Sequence, residues 1–121
     1  MNESRLFRGL LILALSGLPL LASSGSGWLG ISTSIKGSGA SWNPTIETVS
    51  IAKVAPNSPA ENQHLSVGDM IIEVEGTPVL GAKGSDLRSK MKRNIGEVIH
   101  LTLMRPNGET YSAVLTAAKQ P

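Results

Sequence analysis

The first 24 residues fall into three parts, and that arrangement decides how much chain remains for a folded domain. Met1–Arg8 carries Arg5 and Arg8, Gly9–Leu21 is almost wholly apolar, and Ala22-Ser23-Ser24 is a run of small residues. A basic start, an apolar middle and a small-residue end are the marks of a secretory signal. The apolar run of thirteen residues falls short of the roughly 18–20 that a helix needs to cross a bilayer, and Gly17 and Pro19 would break its end. Residues 1–24 are therefore read as a signal peptide cut after Ser24; if retained, residues 6–22 would be an inner-membrane anchor. On either reading the remainder acts outside the cytoplasm, which in a bacterium means the periplasm. Residues 25–28 are a short linker, and residues 29–118 are left to form one small domain.

Composition narrows the function. The chain has no cysteine, which excludes a disulfide framework, a Cys-ligated metal site and a thiol nucleophile, so the core must hold itself together. Residues 25–121 carry nine Lys/Arg against eight Asp/Glu, and the whole chain has two Trp, one Tyr and one Phe. Neither a basic field nor a base-stacking surface is present, and no nucleic-acid partner is expected. His64 and His100 have no metal-ligand spacing and no nucleophile at hand, so each is expected to be structural. No Gly-x-Ser-x-Gly setting or other catalytic set can be assembled. The domain is read as non-enzymatic, with no catalytic residue, metal or cofactor.

The pattern of elements is mixed. Leu29–Ile35 alternates Leu29, Ile31, Thr33 and Ile35 with Gly30, Ser32 and Ser34, which predicts a strand with one buried face. Lys36–Asn43 reads as a loop holding Trp42, and the β-branched run Thr45–Val54 reads as the returning strand. Ser58 and Pro59 supply an N-cap and an N1 proline for a short helix, Pro59–Gln63. Met70–Val74 is a short strand, and Thr77–Val79 an edge piece because Pro78 has no N–H. Ser85 is expected to cap an amphipathic helix running to about Arg93, with Asp86 in its first turn and Leu87 and Met91 on one face. Val98–Met104, the turn Pro106-Asn107-Gly108 and Glu109–Thr116 close the chain as a hairpin. Five to six strands with two helices, without regular strand–helix alternation, describe a small α+β barrel or sandwich.

Several separated segments then resemble one family, the PDZ domain. Gly27-Trp28-Leu29-Gly30-Ile31 is similar to its carboxylate-binding loop. Ser58-Pro59-Ala60, Leu65, Gly68-Asp69-Met70-Ile71 and Val74–Val79 match its helix, glycine-aspartate strand and following turn, in order and spacing. Asp86-Leu87-Arg88, Gly96, Leu101–Arg105 and Gly108 complete the order. The bacterial periplasmic form carried by serine proteases of the high-temperature-requirement family is the form it resembles. The resemblance implies a PDZ-like, partly open barrel or sandwich capped by two helices, which binds protein or peptide C-termini by strand addition. By the same resemblance Leu29, Gly30 and Ile31 form the carboxylate loop, and Ser32, Thr33 and Ser34 the groove strand. Gly84, Ser85, Leu87, Arg88 and Met91 form the groove helix and pocket.

The physics of such a site is simple. Converging backbone N–H groups hold a terminal carboxylate, and Gly30 lets the chain curl there. An extended peptide pairs with the open strand edge, and pockets for alternate side chains select it. Leu29, Ile31, Leu87 and Met91 would take an apolar last residue, with Leu87 also a candidate for the core. Small residues at Gly84 and Ser85 leave the next pocket open, and Arg88 is placed to meet an acidic side chain. Trp28 is expected to plug the barrel bottom and Trp42 to pack against the sheet's end. The basic run Lys83, Arg88, Lys90, Lys92 and Arg93 reads as a solvated helix face. His64 departs from the resembled pattern, which has glycine in a positive-φ position at the helix end, a conformation histidine tolerates at small cost. The function expected is an adaptor or modulator for an envelope protein, including a periplasmic protease or its substrates, with membrane contact only if the N-terminal segment stays. The alternative is a structural part of an envelope or secretion complex, whose degenerate groove would be filled by the Trp42 loop or the C-terminal tail.

Overall fold

The computed structural model describes residues 25–121; the signal-peptide reading of residues 1–24 lies outside the described residues. The elements are β1 (Ile31–Ser38), β2 (Thr45–Val54), α1 (Pro59–Asn62), β3 (Met70–Val74), β4 (Thr77–Pro78), α2 (Gly84–Met91), β5 (Val98–Met104) and β6 (Thr110–Thr116). The strands form one antiparallel sheet in the order β1-β2-β3-β5-β6, with β4 paired to β3. This is the expected α+β class. Alternation builds the core: Ile46, Val49 and Ile51 from β2, Ile71 and Val74 from β3, Ile99, Leu101 and Leu103 from β5, and Ala113 and Leu115 from β6 are all buried. No helix among the described residues is long and apolar enough to cross a membrane.

Helix α1 is defined at both ends by local chemistry. The Ser58 hydroxyl accepts the Glu61 N–H at 3.1 Å and donates to the Ala55 carbonyl at 2.6 Å, and Pro59 follows at the first helical position. At the other end His64 takes φ +64°, and the N–H groups of His64 and Leu65 reach back to Glu61 and Ala60. That is a Schellman stop with histidine in place of the usual glycine, closed by Leu65 packed into the same core as Ala60.

Several expectations need correction. Strand β1 runs to Ser38, because its ladder with β2 continues through Lys36–Thr48 and Ser38–Thr45. Its apolar side is only partly buried: Ile31 is half-buried against the core, but Ser32–Ser38 are exposed and Ile35 is 42 % accessible. Ser85 does not cap α2. Lys83 stands at the N-cap without a side-chain capping bond, and Asn43 Oδ1 accepts the Ser85 N–H at 2.8 Å from the neighbouring loop. The helix ends at Met91, not Arg93, as Lys92 turns extended. Trp42 is 83 % exposed and packs against nothing that buries it. Trp28 is only partly buried and lies outside the core, where its N–H and carbonyl pair with Ala118.

A buried carboxylate joins the two ends of the sheet's central strands. Asp69, 2 % exposed, accepts from the Tyr111 hydroxyl and lies 3.5 Å from the Arg105 guanidinium, which stacks 4.1 Å from the Tyr111 ring centre. Burial, and then the hydrogen bond to Asp69 and its charge, push the Tyr111 phenol up to about 12.

Candidate functional site

Between β1 and α2 lies a groove of about 690 Å³. One end is anchored where Gly27 donates to the Arg93 carbonyl at 2.7 Å, just beyond the end of α2. The other lies beside the β1–β2 loop, whose Pro44 carbonyl takes the Gly84 N–H at 2.9 Å. Strand β1 is the edge of the sheet, so its outer backbone faces the groove. Ile31, Thr33 and Ile35 line it from the strand, and Gly84, Leu87, Arg88 and Met91 from the helix, spaced as one helical face.

The closed end is built around Gly30. Its φ is +85°, and a Cβ there would sit 2.1 Å from the Ser58 Cβ, so both conformation and space demand glycine. Its carbonyl and that of Leu29 accept the N–H groups of Ala55 and Ala60, tying the loop to α1. The Gly30–Ala55 bond also makes Ile31 and Val54 a non-hydrogen-bonded pair, so the Ile31 N–H points away from β2 toward the open edge. Among the described residues the N–H groups of Leu29 and Gly30 have no acceptor. Three successive backbone N–H groups without an internal acceptor thus lie at the end of an apolar slot.

A second set of bonds holds the run into this loop. Arg93 donates to the carbonyls of Val98, Lys90 and Lys92 at 2.9, 2.7 and 2.6 Å, and to Glu75 at 3.3 Å. It thereby caps the open carbonyls at the end of α2 and fixes the connector that pairs with Gly25–Gly27. Glu75 also accepts the backbone N–H of His100 at 2.8 Å and contacts its ring. That backbone bond is the main cause of a Glu75 carboxyl held below its ordinary range. Arg93 is thus not on a solvated face, and its role left no trace in the basic run that contains it.

A family model for the PDZ domain matches residues 19–104. The chain belongs to the PDZ family. The PDZ fold is shared with a photosystem II D1 C-terminal processing protease at 25 % identity and TM-score 0.65, over 83 % of this chain and 24 % of that one. The PDZ domain of a carboxy-terminal protease from Vibrio cholerae, solved in complex with a peptide, matches at 19 % identity and TM-score 0.61, over 79 % of this chain and 96 % of that one. The HtrA3 PDZ domain bound to a phage-derived ligand matches at 23 % and 0.55, over 77 % and 88 %. Among curated proteins none matches by sequence. The resembled form is thus joined by C-terminal processing proteases. The chain spans only about a quarter of the processing protease, whose catalytic domain lies outside the aligned part.

Of the residues singled out in sequence, the PDZ groove brings together Leu29, Gly30, Ile31, Thr33, Gly84, Leu87, Arg88 and Met91. Leu87 serves both groove and core. Ser32 faces a shallow hollow on the other side with Lys53 and Val67, while Ser34 and Ser85 lie outside the groove lining. Ile35 was missed, although it is the next member of the Ile31–Thr33 alternation; Lys92, Asn94 and Glu97 also line the closed end. Neither Trp42 nor residues 119–121 line the groove.

Proposed function

We propose that this PDZ domain binds the C-terminus, or an extended segment, of another protein by adding it as a strand beside β1, and acts as an adaptor or modulator rather than a catalyst. The observation that carries the reading is the end of the groove at Leu29, Gly30 and Ile31, where backbone N–H groups without an internal acceptor border an apolar slot at an open sheet edge. Peptides seated on the related Vibrio cholerae and HtrA3 PDZ domains support it. The contact is small, and an affinity near 1 μM, about 8 kcal/mol, is expected. The structural-part alternative draws no support, because no described segment fills the groove.

The test is an amide NMR titration of the full-length chain with peptides ending in an apolar residue, each with a free and an amidated terminus. Shifts at Leu29, Gly30, Ile31 and along α2 that disappear on amidation are expected. Equal responses to both forms would point to internal segments, and none at these positions would remove the reading. The partner proposed is an envelope protein, including a periplasmic protease or its substrates, and the site of action is outside the cytoplasm. Both follow from the N-terminal sequence pattern, and N-terminal sequencing of the expressed chain, starting after Ser24, checks it.

A further inference from the structure

We infer that the groove selects an acidic side chain at the third residue from the end of its peptide, and that Arg88 is the residue that reads it. This rests on the proposed seating of a C-terminus in the groove and adds the chemistry of the partner.

The charged groups at the groove are Arg88, Lys92, Arg93 and Glu97. Arg93 is committed to three carbonyls and Glu75, and Glu97 accepts the Asn94 N–H at 2.7 Å. Arg88 is exposed and, among the described residues, has no hydrogen bond or ion pair; the nearest acid on its helix, Asp86, lies off the groove lining. A guanidinium held on a slot wall without a partner favours an incoming carboxylate.

Geometry selects which peptide residue it meets. The groove runs from the Leu29–Ile31 loop beside the end of α2 to Gly84 beside Pro44. With the carboxylate at the loop, alternate side chains face α2, and the third residue from the end stands about 6.7 Å back from the last. Along α2, Arg88 lies about 4.5 Å and Gly84 about 10.5 Å back from Met91, which lines the terminal pocket. The third side chain therefore arrives between Arg88 and Gly84. Gly84 is itself packed under Pro44 and Asn43 of the β1–β2 loop and offers no side chain there, so the Arg88 guanidinium is the charged group that borders this position.

The test compares labelled peptides identical except for Glu, Gln or Lys at the third position, read by fluorescence anisotropy on the full-length chain at low and high salt. Because Arg88 is exposed, the Glu peptide is expected to bind about three- to fivefold more tightly than the Gln peptide, and less so at high salt. Arg88→Gln should erase the preference and Arg88→Glu should turn it toward Lys, while Lys90→Gln, off the groove lining, should keep it. A preference that survives in Arg88→Gln overturns the assignment. So does a wild type that binds Glu and Gln peptides equally, each with dependence on the free carboxylate, which would leave the groove reading intact. Failure of all three peptides to bind removes both.

Discussion

Arg88 stands on the groove face of α2 with an exposed guanidinium and no partner among the described residues, whereas Arg93, five residues on, has a side chain only 17 % accessible and holds three backbone carbonyls and Glu75. In the sequence the two belong to one basic run. The structure divides that run by what each charge can reach: a helix end leaves carbonyls that need donors, and a helix side facing a slot does not. Arg93 is consumed by the fold and Arg88 is left for a ligand. Arg105 marks the committed extreme, since its partner Asp69 is buried under it and Tyr111.

The comparison predicts a ladder of stabilities. At the top, Asp69→Ala leaves Arg105 and the Tyr111 hydroxyl without their shared acceptor, at a cost of about 3 kcal/mol, the low end for a broken buried pair because Arg105 can turn to water. Chemical denaturation measures it. The chain has one tyrosine, so its ultraviolet titration reports the same site: from about 12, the midpoint should fall toward that of a free phenol. In the wild type the folded phenol pKa is raised, so its contribution is full below about 10 and is lost as pH climbs through about 12. An unchanged midpoint in Asp69→Ala would show that burial alone raises it.

Next, Arg93→Ala should cost about 2 kcal/mol, or roughly 8–16 °C in Tm for a domain of this size. It should also erode discrimination between free and amidated peptides, because Gly27 and the carboxylate loop hang on the connector that Arg93 fixes. Below it comes a pH effect. The Glu75 carboxyl is lowered chiefly by the His100 backbone N–H, so its contribution is present above the ordinary glutamate range and is lost as pH falls through the lowered value. Urea midpoints measured across acid pH should therefore drop less steeply in Glu75→Gln than in the wild type. Parallel curves would mean that Glu75 does not carry the tie between His100 and Arg93.

Elements with their own local signals were legible in the sequence. Ser58-Pro59 announced α1, the alternation in Val98–Met104 announced β5 and its buried face, and His64 was expected at positive φ and adopts it. The loop at Leu29–Ile31 and one face of α2 were legible through the resemblance. What escaped depends on partners distant in sequence. Asn43, which takes the Ser85 N–H across 42 positions, displaced the expected Ser85 cap. The apolar face of β1 reads the same whether it meets a core or an empty groove, so Ile35 was assigned to burial and Ser32 and Ser34 to the site. Nothing local separates Arg93 from Arg88, because the carbonyls and the Glu75 carboxylate that claim Arg93 come from where the chain turns next.

Arg88→Ala is the smallest step of the ladder and the one that most directly breaks the comparison. An exposed guanidinium without a partner contributes little to folding, and alanine is the better helix former, so the change in stability should stay within about 0.5 kcal/mol in either direction. The groove should nevertheless register it, through loss of the preference for an acidic third residue. Thermal melts of Arg88→Ala and Arg93→Ala, run side by side at two salt concentrations, separate the cases. If Arg88→Ala melts as low as Arg93→Ala, then Arg88 supports the fold after all and is not held in reserve for a ligand. If it melts with the wild type while its peptide selectivity is gone, stability and recognition have been divided between two arginines of the same run, according to which of them the helix end could reach.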